Sequence, residues 1–139
     1  MKIFAIVGMG RAGIEFLQSI FDSHSQILQM PGIIRFNKEF LYSLELDAHT
    51  FIDRFINSNK HFFNSLLQKL ERHDQLGPKK NQHYVVNKNI FKNNFHKIYN
   101  KTKKTEIDKL ISLHKAYATA SKISLSKKKI LVINRSEEH

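Results

Sequence analysis

The chain contains no cysteine, which excludes a disulfide framework and any thiolate metal site and is compatible with a reducing compartment. It has no run of eighteen or more apolar residues, so no stretch is long enough for a membrane-spanning helix. The apolar start, Ile3 to Val7, is too short for the hydrophobic segment of a secretory signal, and acidic Glu15 prevents its extension. These absences together make a cytoplasmic location the expectation. Internal repeats and low-complexity linkers are also lacking, which points to one domain. Acidic residues are scarce: 12 Asp and Glu against 23 Lys and Arg give a net charge of +11. Such an excess attracts polyanions. The lysines nevertheless fall in short runs at expected turns and ends, namely Lys79-Lys80, Lys101 to Lys104 and Lys127 to Lys129. No stacking aromatics alternate with them, which argues against nucleic acid as the partner.

What is present is the composition of a folded protein. A hydrophobic fraction of 41% with 11 Phe in 139 residues is enough for one real core. Lys2 to Val7, apolar almost throughout, predicts a strand buried on both faces of a parallel sheet. Gly8 to Gly13 predicts a tight turn, and Gly13 to about Asp22 a helix with Phe16, Leu17, Ile20 and Phe21 on its packed side. Ile27 to Met30 predicts a short second strand stopped by Pro31-Gly32.

Helical patterns then take over: Glu39 to Leu46, Ala48 to Ile56, and His61 to Leu76 closed by Gly77-Pro78. Asn87 is placed to cap a helix reaching Tyr99. Thr105-Glu106-Ile107-Asp108, a capping box with Asp in place of Glu or Gln, opens another to Ala120. Lys129 to Ile133 predicts a last buried strand. The expected class is α/β: a parallel sheet with a large helical insertion between its second and third strands, and a sheet left incomplete.

A glycine turn between strand and helix aims backbone N–H groups at an anion, and the positive end of the helix adds to the attraction. Two occupants compete. Gly8, Gly10 and Gly13 fit G-x-G-x-x-G, the dinucleotide fingerprint of a Rossmann-type NAD(P) or nucleotide site. That site also asks for an acidic residue at the end of the second strand, and Gln29-Met30-Pro31-Gly32 supplies none. The second occupant is suggested by Arg11, a cation in the middle of the turn, suited to a phosphate or sulfonate group that is to be transferred.

Gly8 to Ile27 resembles the opening of the PAPS-dependent sulfotransferases. That family begins with a strand, a loop of the form [G/P]-[R/K]-S-G-T-[T/S]-[F/L/W]-L, a helix, and often L-D-x-H-P-[E/Q]-[I/V]. Arg11, Gly13, Phe16, Leu17, Asp22, His24, Gln26 and Ile27 fall on this pattern in register, within the 20 residues from Gly8 to Ile27. Weaker echoes are His61-Phe62-Phe63-Asn64-Ser65 and His114 to Ala120 ahead of the Lys-rich last strand.

The resemblance implies a single sulfotransferase-like domain over 1–139. Its parts are strand–phosphate loop–helix–strand (1–34), a helical middle (35–126), and a last strand and end (127–139). It implies a P-loop-like site for 3′-phosphoadenosine 5′-phosphosulfate, the sulfuryl donor, formed by Gly8, Met9, Gly10, Arg11, Ala12, Gly13, Ile14, Glu15 and Phe16. No metal is implied. The acceptor would be a hydroxyl group of a small molecule or glycan. Arg11 would stabilise charge on the bridging oxygen as the sulfuryl group leaves.

The family's Ser is Ala12 here and its Thr pair is Ile14-Glu15, which removes two hydroxyl donors and brings a carboxylate to a dianion site. Glu15 therefore repels the cofactor if it points inward, leaves the site merely weakened if it points to solvent or pairs with Arg11, or serves as a base. Arg135-Ser136, directly after the last strand, matches either the Arg that grips the 3′-phosphate or the position of the catalytic base. A working enzyme, a half-site needing self-association or a missing C-terminal part, and a non-catalytic fragment all stay open.

Duller roles compete for the remaining residues. His24 is read as bracing the end of the first helix and His114 as a core histidine, because it lies on an apolar face with Ile107, Leu110, Ile111, Tyr117 and Ala118. The 8 His are dispersed without metal-ligand spacing, so no metal site is expected. The Phe-rich helices are read as core.

Overall fold

The structure is a computed structural model and describes residues 1–9, 13–22, 24–32, 34, 38–67, 79 and 83–137. Strand β1 (Lys2–Met9) leads to helix α1 (Ile14–Phe21), and the short strand β2 (Ile27–Leu28) comes after it. Helices α2 (Lys38–Glu45) and α3 (Ala48–Ser58) begin the insertion, and two single 3₁₀ turns, Lys60–Phe62 and Ser65–Leu67, come next. Helices α4 (Lys88–Tyr99) and α5 (Glu106–Ala120) complete it, and strand β3 (Ile130–Glu137) closes the order. The strands form one parallel sheet in the order β1-β3-β2. The α/β class and the helical insertion between second and third strands are as expected. The sheet is open, since among the described residues β1 and β2 pair only with β3.

The helices start where the local chemistry says they should. Asn87 accepts from Ile90 N at 3.0 Å, and Asp47 accepts from His49 N and Thr50 N, each at 3.0 Å. The capping box at α5 is complete: Asp108 N donates to Thr105 Oγ1 and Thr105 N donates to Asp108 Oδ2, both at 3.1 Å. Asp thus serves where Glu is more usual.

Two cores result. The larger one lies inside the helical insertion, where Phe51, Phe62, Phe63, Phe91 and Phe95 are fully buried. The Tyr117 hydroxyl crosses it to donate to Phe62 O. The smaller core joins α5 to the sheet through Ala118, Leu28, Leu131 and Ile133. The Phe-rich helices are core, as read.

Lys109 is buried at the seam of α2 and α5. Its ammonium donates to Leu44 O and Leu46 O, both at 2.5 Å, and stands 5.6 Å from the Phe51 ring centroid and 5.8 Å from that of Tyr99. A cation satisfying the last carbonyls of a helix is a C-cap, so this charge is structural. Burial lowers its pKa below the ordinary lysine value.

His114 is also buried and titratable. A carbonyl only accepts, so the 2.8 Å contact of Nδ1 with Leu110 O fixes the proton of the neutral ring on Nδ1. Burial pushes its pKa from 6.5 down to about 4, against a smaller opposing effect of that hydrogen bond. The unfolded chain then takes up this proton first as pH falls. Stability is therefore full above pH 6.5 and is lost between 6.5 and about 4. The loss should reach about 3 kcal/mol, read as the difference in urea-unfolding free energy between wild type and His114→Leu across that window. A variant that keeps the wild-type slope would show that His114 does not carry it.

Three expectations fail. β1, predicted to be buried on both faces, leaves Ile3, Phe4 and Val7 exposed, because among the described residues it is an edge strand paired only with β3. The helix predicted from His61 to Leu76 is absent over His61 to Leu67, and the rest of it, with Gly77-Pro78, lies outside the described residues. Long-range pairing outcompetes helix here: Ser65 N donates to Tyr84 O at 3.1 Å, Val86 N to Phe63 O at 2.9 Å, and Tyr84 N to Ser65 Oγ at 3.0 Å. The packed side expected for α1 is open instead. Phe16 is 73% exposed and Ile20 57%, whereas Gln18 is buried and donates to Met30 O at 2.8 Å. The sheet ends at β1, so no further strand or helix lies beyond it, among the described residues, to cover that side.

Candidate functional site

Parallel pairing carries β1 and β3 side by side to the carboxyl edge of the sheet, with Val7 opposite Arg135, Gly8 opposite Ser136 and Met9 opposite Glu137. Neighbouring strands lie about 4.8 Å apart. The glycine loop and the Arg135-Ser136 pair, far apart in sequence, therefore begin from adjacent backbone positions on one edge.

The boundaries differ from expectation in an instructive way. Gly8 and Met9 were placed in the turn but are the last residues of β1. Asn134, Arg135 and Ser136, expected after the last strand, are part of β3. Each strand extends because the other provides ladder partners as far as Met9 and Glu137.

Gly13 sits at the N-cap of α1 with φ 73° and ψ 16°, a left-handed conformation in which a side chain is strained. A Cβ there would meet nothing within 4 Å, so the backbone angle is what calls for glycine. Among the described residues no side chain caps α1. The first helical bond runs from Leu17 N to Gly13 O at 3.0 Å, so the N–H groups of Ile14, Glu15 and Phe16 precede the helical ladder. That is the arrangement in which a helix start receives an anion.

Gly10, Arg11 and Ala12 lie outside the described residues, as do the side chains of Met9, Ile14, Glu15, Arg135 and Ser136. Phe16, assigned to the same loop, stands exposed on α1. The His24 side chain braces the turn ahead of β2, its Nδ1 accepting from Gln26 N at 3.2 Å, and it is the backbone N–H of His24, not the ring, that reaches the end of α1 at Phe21 O, 3.2 Å away. His114 lies in the protein interior.

Residues that sequence reasoning missed are Gln18 and Gln29, which tie α1 to the end of β2. Gln29 Nε2 donates to Gln18 O at 3.0 Å, complementing the Gln18 bond to Met30 O. Gln18 lies off the apolar side formed by Phe16, Leu17, Ile20 and Phe21, so periodicity carried no signal for it. The end of β2 is thus occupied by amide hydrogen bonding where a nicotinamide site would place a carboxylate.

The chain matches no family model, no curated protein and no solved structure.

Proposed function

We propose that this chain is a sulfotransferase-like domain that binds 3′-phosphoadenosine 5′-phosphosulfate, or its product adenosine 3′,5′-bisphosphate, at the carboxyl edge of the sheet. The sulfuryl group would pass to a hydroxyl acceptor. The observation that supports this reading is the register that sets Gly8 beside Ser136 and Val7 beside Arg135. It brings the two segments singled out for the two ends of one donor molecule to one edge, where parallel sheets receive ligands. The uncapped start of α1 supplies N–H donors for the 5′ end, and a basic chain of net charge +11 favours a polyanionic ligand. Arg11 acts on the leaving oxygen in this reading. Glu15 and Arg135 are the further candidates for proton transfer or 3′-phosphate contact.

The strand order weighs against the Rossmann alternative. In that fold the strand after the first helix lies directly beside the first strand, whereas here β3 stands between β1 and β2. Calorimetric titration with adenosine 3′,5′-bisphosphate, with NAD(P) in parallel, decides between them. Saturable binding of the bisphosphate alone is expected. Binding of NAD(P) alone, or of neither by a folded chain, would overturn the proposal.

One observation favours a second reading, a unit that works only with a partner. Phe4 and Val7 on β1 are each 54% exposed, and the outer edge of β1 is unpaired among the described residues. An apolar strand edge without proline or a central charge is a template for another strand. Sedimentation between micromolar and millimolar concentration tests it: a mass that stays monomeric throughout removes self-association.

A further inference from the structure

The opposite end of the sheet carries a feature that the proposed site does not use. At the amino edge a cleft of about 480 Å³ is lined by Lys2, Lys115, Lys128 and Lys129 together with Gln26 and Ile130. The lysines come from β1, from α5 and from the segment entering β3, so only the tertiary fold gathers them. Backbone bonds hold the frame: Lys2 N donates to Lys129 O at 3.0 Å, and Lys129 N donates to Gln26 O at 2.9 Å.

One of the four ammonium groups is committed. Lys128 Nζ donates to His24 O and Ile27 O, both at 2.7 Å, and so fastens the turn before β2 to the start of β3. Lys2, Lys115 and Lys129 form no ion pair among the described residues, and no Asp or Glu lines the cleft. Like charges gathered without a counter-charge repel one another, and a bound anion would relieve that repulsion.

We infer that this lysine cleft is a second ligand site, for a compact anion carrying two or more linked phosphate groups. Lysine side chains from three segments border one space larger than a single phosphate, which favours a multiply charged ligand over a single one. Lysine ammoniums are point charges on flexible stems and can take up phosphate oxygens without a fixed approach geometry. Rising about 3.3 Å per residue, β1 separates Lys2 from Gly8 by about 20 Å. The cleft is therefore distinct from the carboxyl edge and its role does not rest on the sulfotransferase reading.

The test is calorimetric titration with inorganic tripolyphosphate, ATP, monophosphate and a short DNA duplex. It compares wild type, the triple variant Lys2→Gln/Lys115→Gln/Lys129→Gln, and a charge-matched control, Lys97→Gln/Lys101→Gln/Lys103→Gln. Lys128 is left in place because it fastens the fold, and circular dichroism checks that each variant is folded. If the triple variant does not fold, Lys2→Gln and Lys129→Gln are measured singly.

Tripolyphosphate should bind more tightly than monophosphate. It should lose about tenfold or more in affinity in the triple variant and less than about twofold in the control. ATP binding more tightly than tripolyphosphate identifies a nucleotide as the source of the phosphates, and the reverse identifies a free oligophosphate. Arg11→Ala should leave tripolyphosphate binding unchanged, and the triple variant should leave bisphosphate binding at the carboxyl edge unchanged, so failure of either site is read separately. Equal weakening in triple variant and control would overturn the inference, because the attraction would then be diffuse. So would the absence of tripolyphosphate binding, or a DNA duplex that binds more tightly than tripolyphosphate and depends on the same lysines.

Discussion

On the proposed function, Arg11→Ala should reduce sulfuryl transfer by about two to three orders of magnitude while leaving the fold and its melting temperature unchanged. As a sulfuryl group leaves, negative charge grows on the oxygen that bridged it to the nucleotide. A cation fixed beside that oxygen contributes more in the transition state than in the ground state, so kcat should fall more than KM rises. Adenosine 3′,5′-bisphosphate carries no transferable group, and its affinity should weaken only about tenfold, the loss of one charge-assisted contact. Arg11→Lys separates charge from geometry: it should restore most of the binding but little of the turnover. A turnover lost by less than about threefold would remove Arg11 from the chemistry. If wild type binds the bisphosphate but shows no transfer, the site is a binding module. Ala12 and Ile14, which lack the hydroxyls of the resembled loop, are then the first positions to restore as Ser and Thr.

The parts of the fold legible in the sequence are those set within a few residues. Asn87 and the Thr105–Asp108 pair announce their helices because a cap is a bond between residues three apart. Gly13 is legible for the same reason, since the turn needs one left-handed residue just ahead of α1.

Features decided by distant pairing were not legible. β3 runs on to Glu137 because β1 lies beside it, and β2 stops at Leu28 because Met30 and Ile34 leave the sheet for the helical core. His61 to Leu67 has helical spacing, yet Asn64 pairs across to Val85. The apolar side of α1 was read correctly as apolar and wrongly as covered: periodicity reports which side seeks burial, not whether another element is there to supply it. The candidate site divides in the same way. Its residues were found as two separate motifs, and only the β1–β3 register brings their backbones together.

Phe91→Ala should cost about 3–5 kcal/mol in urea unfolding. Phe91 is fully buried on α4, with ring centroids 5.0 Å from Phe63, 6.1 Å from Phe55 and 6.1 Å from Tyr117. Truncation removes most of a large apolar side chain and leaves a cavity walled by rings that are themselves held by further aromatic neighbours, so little collapse can fill it. Against a total of about 5–15 kcal/mol for a domain, that loss should leave a measurable unfolded fraction at 37 °C. Phe91→Leu keeps most of the volume and should cost less than half as much. Ile90→Ala, at a side chain 50% exposed on the same turn, should stay within about 0.5 kcal/mol of wild type. The helical core reaches the sheet through α5, where Leu110 packs against both cores. Phe91→Ala should therefore lower the binding capacity of a preparation in proportion to its unfolded fraction and leave the Kd of the folded molecules as in wild type. A Kd that shifts with full folding retained would mean that the helical insertion shapes the carboxyl-edge site directly, rather than serving as the platform on which α5 and β3 rest.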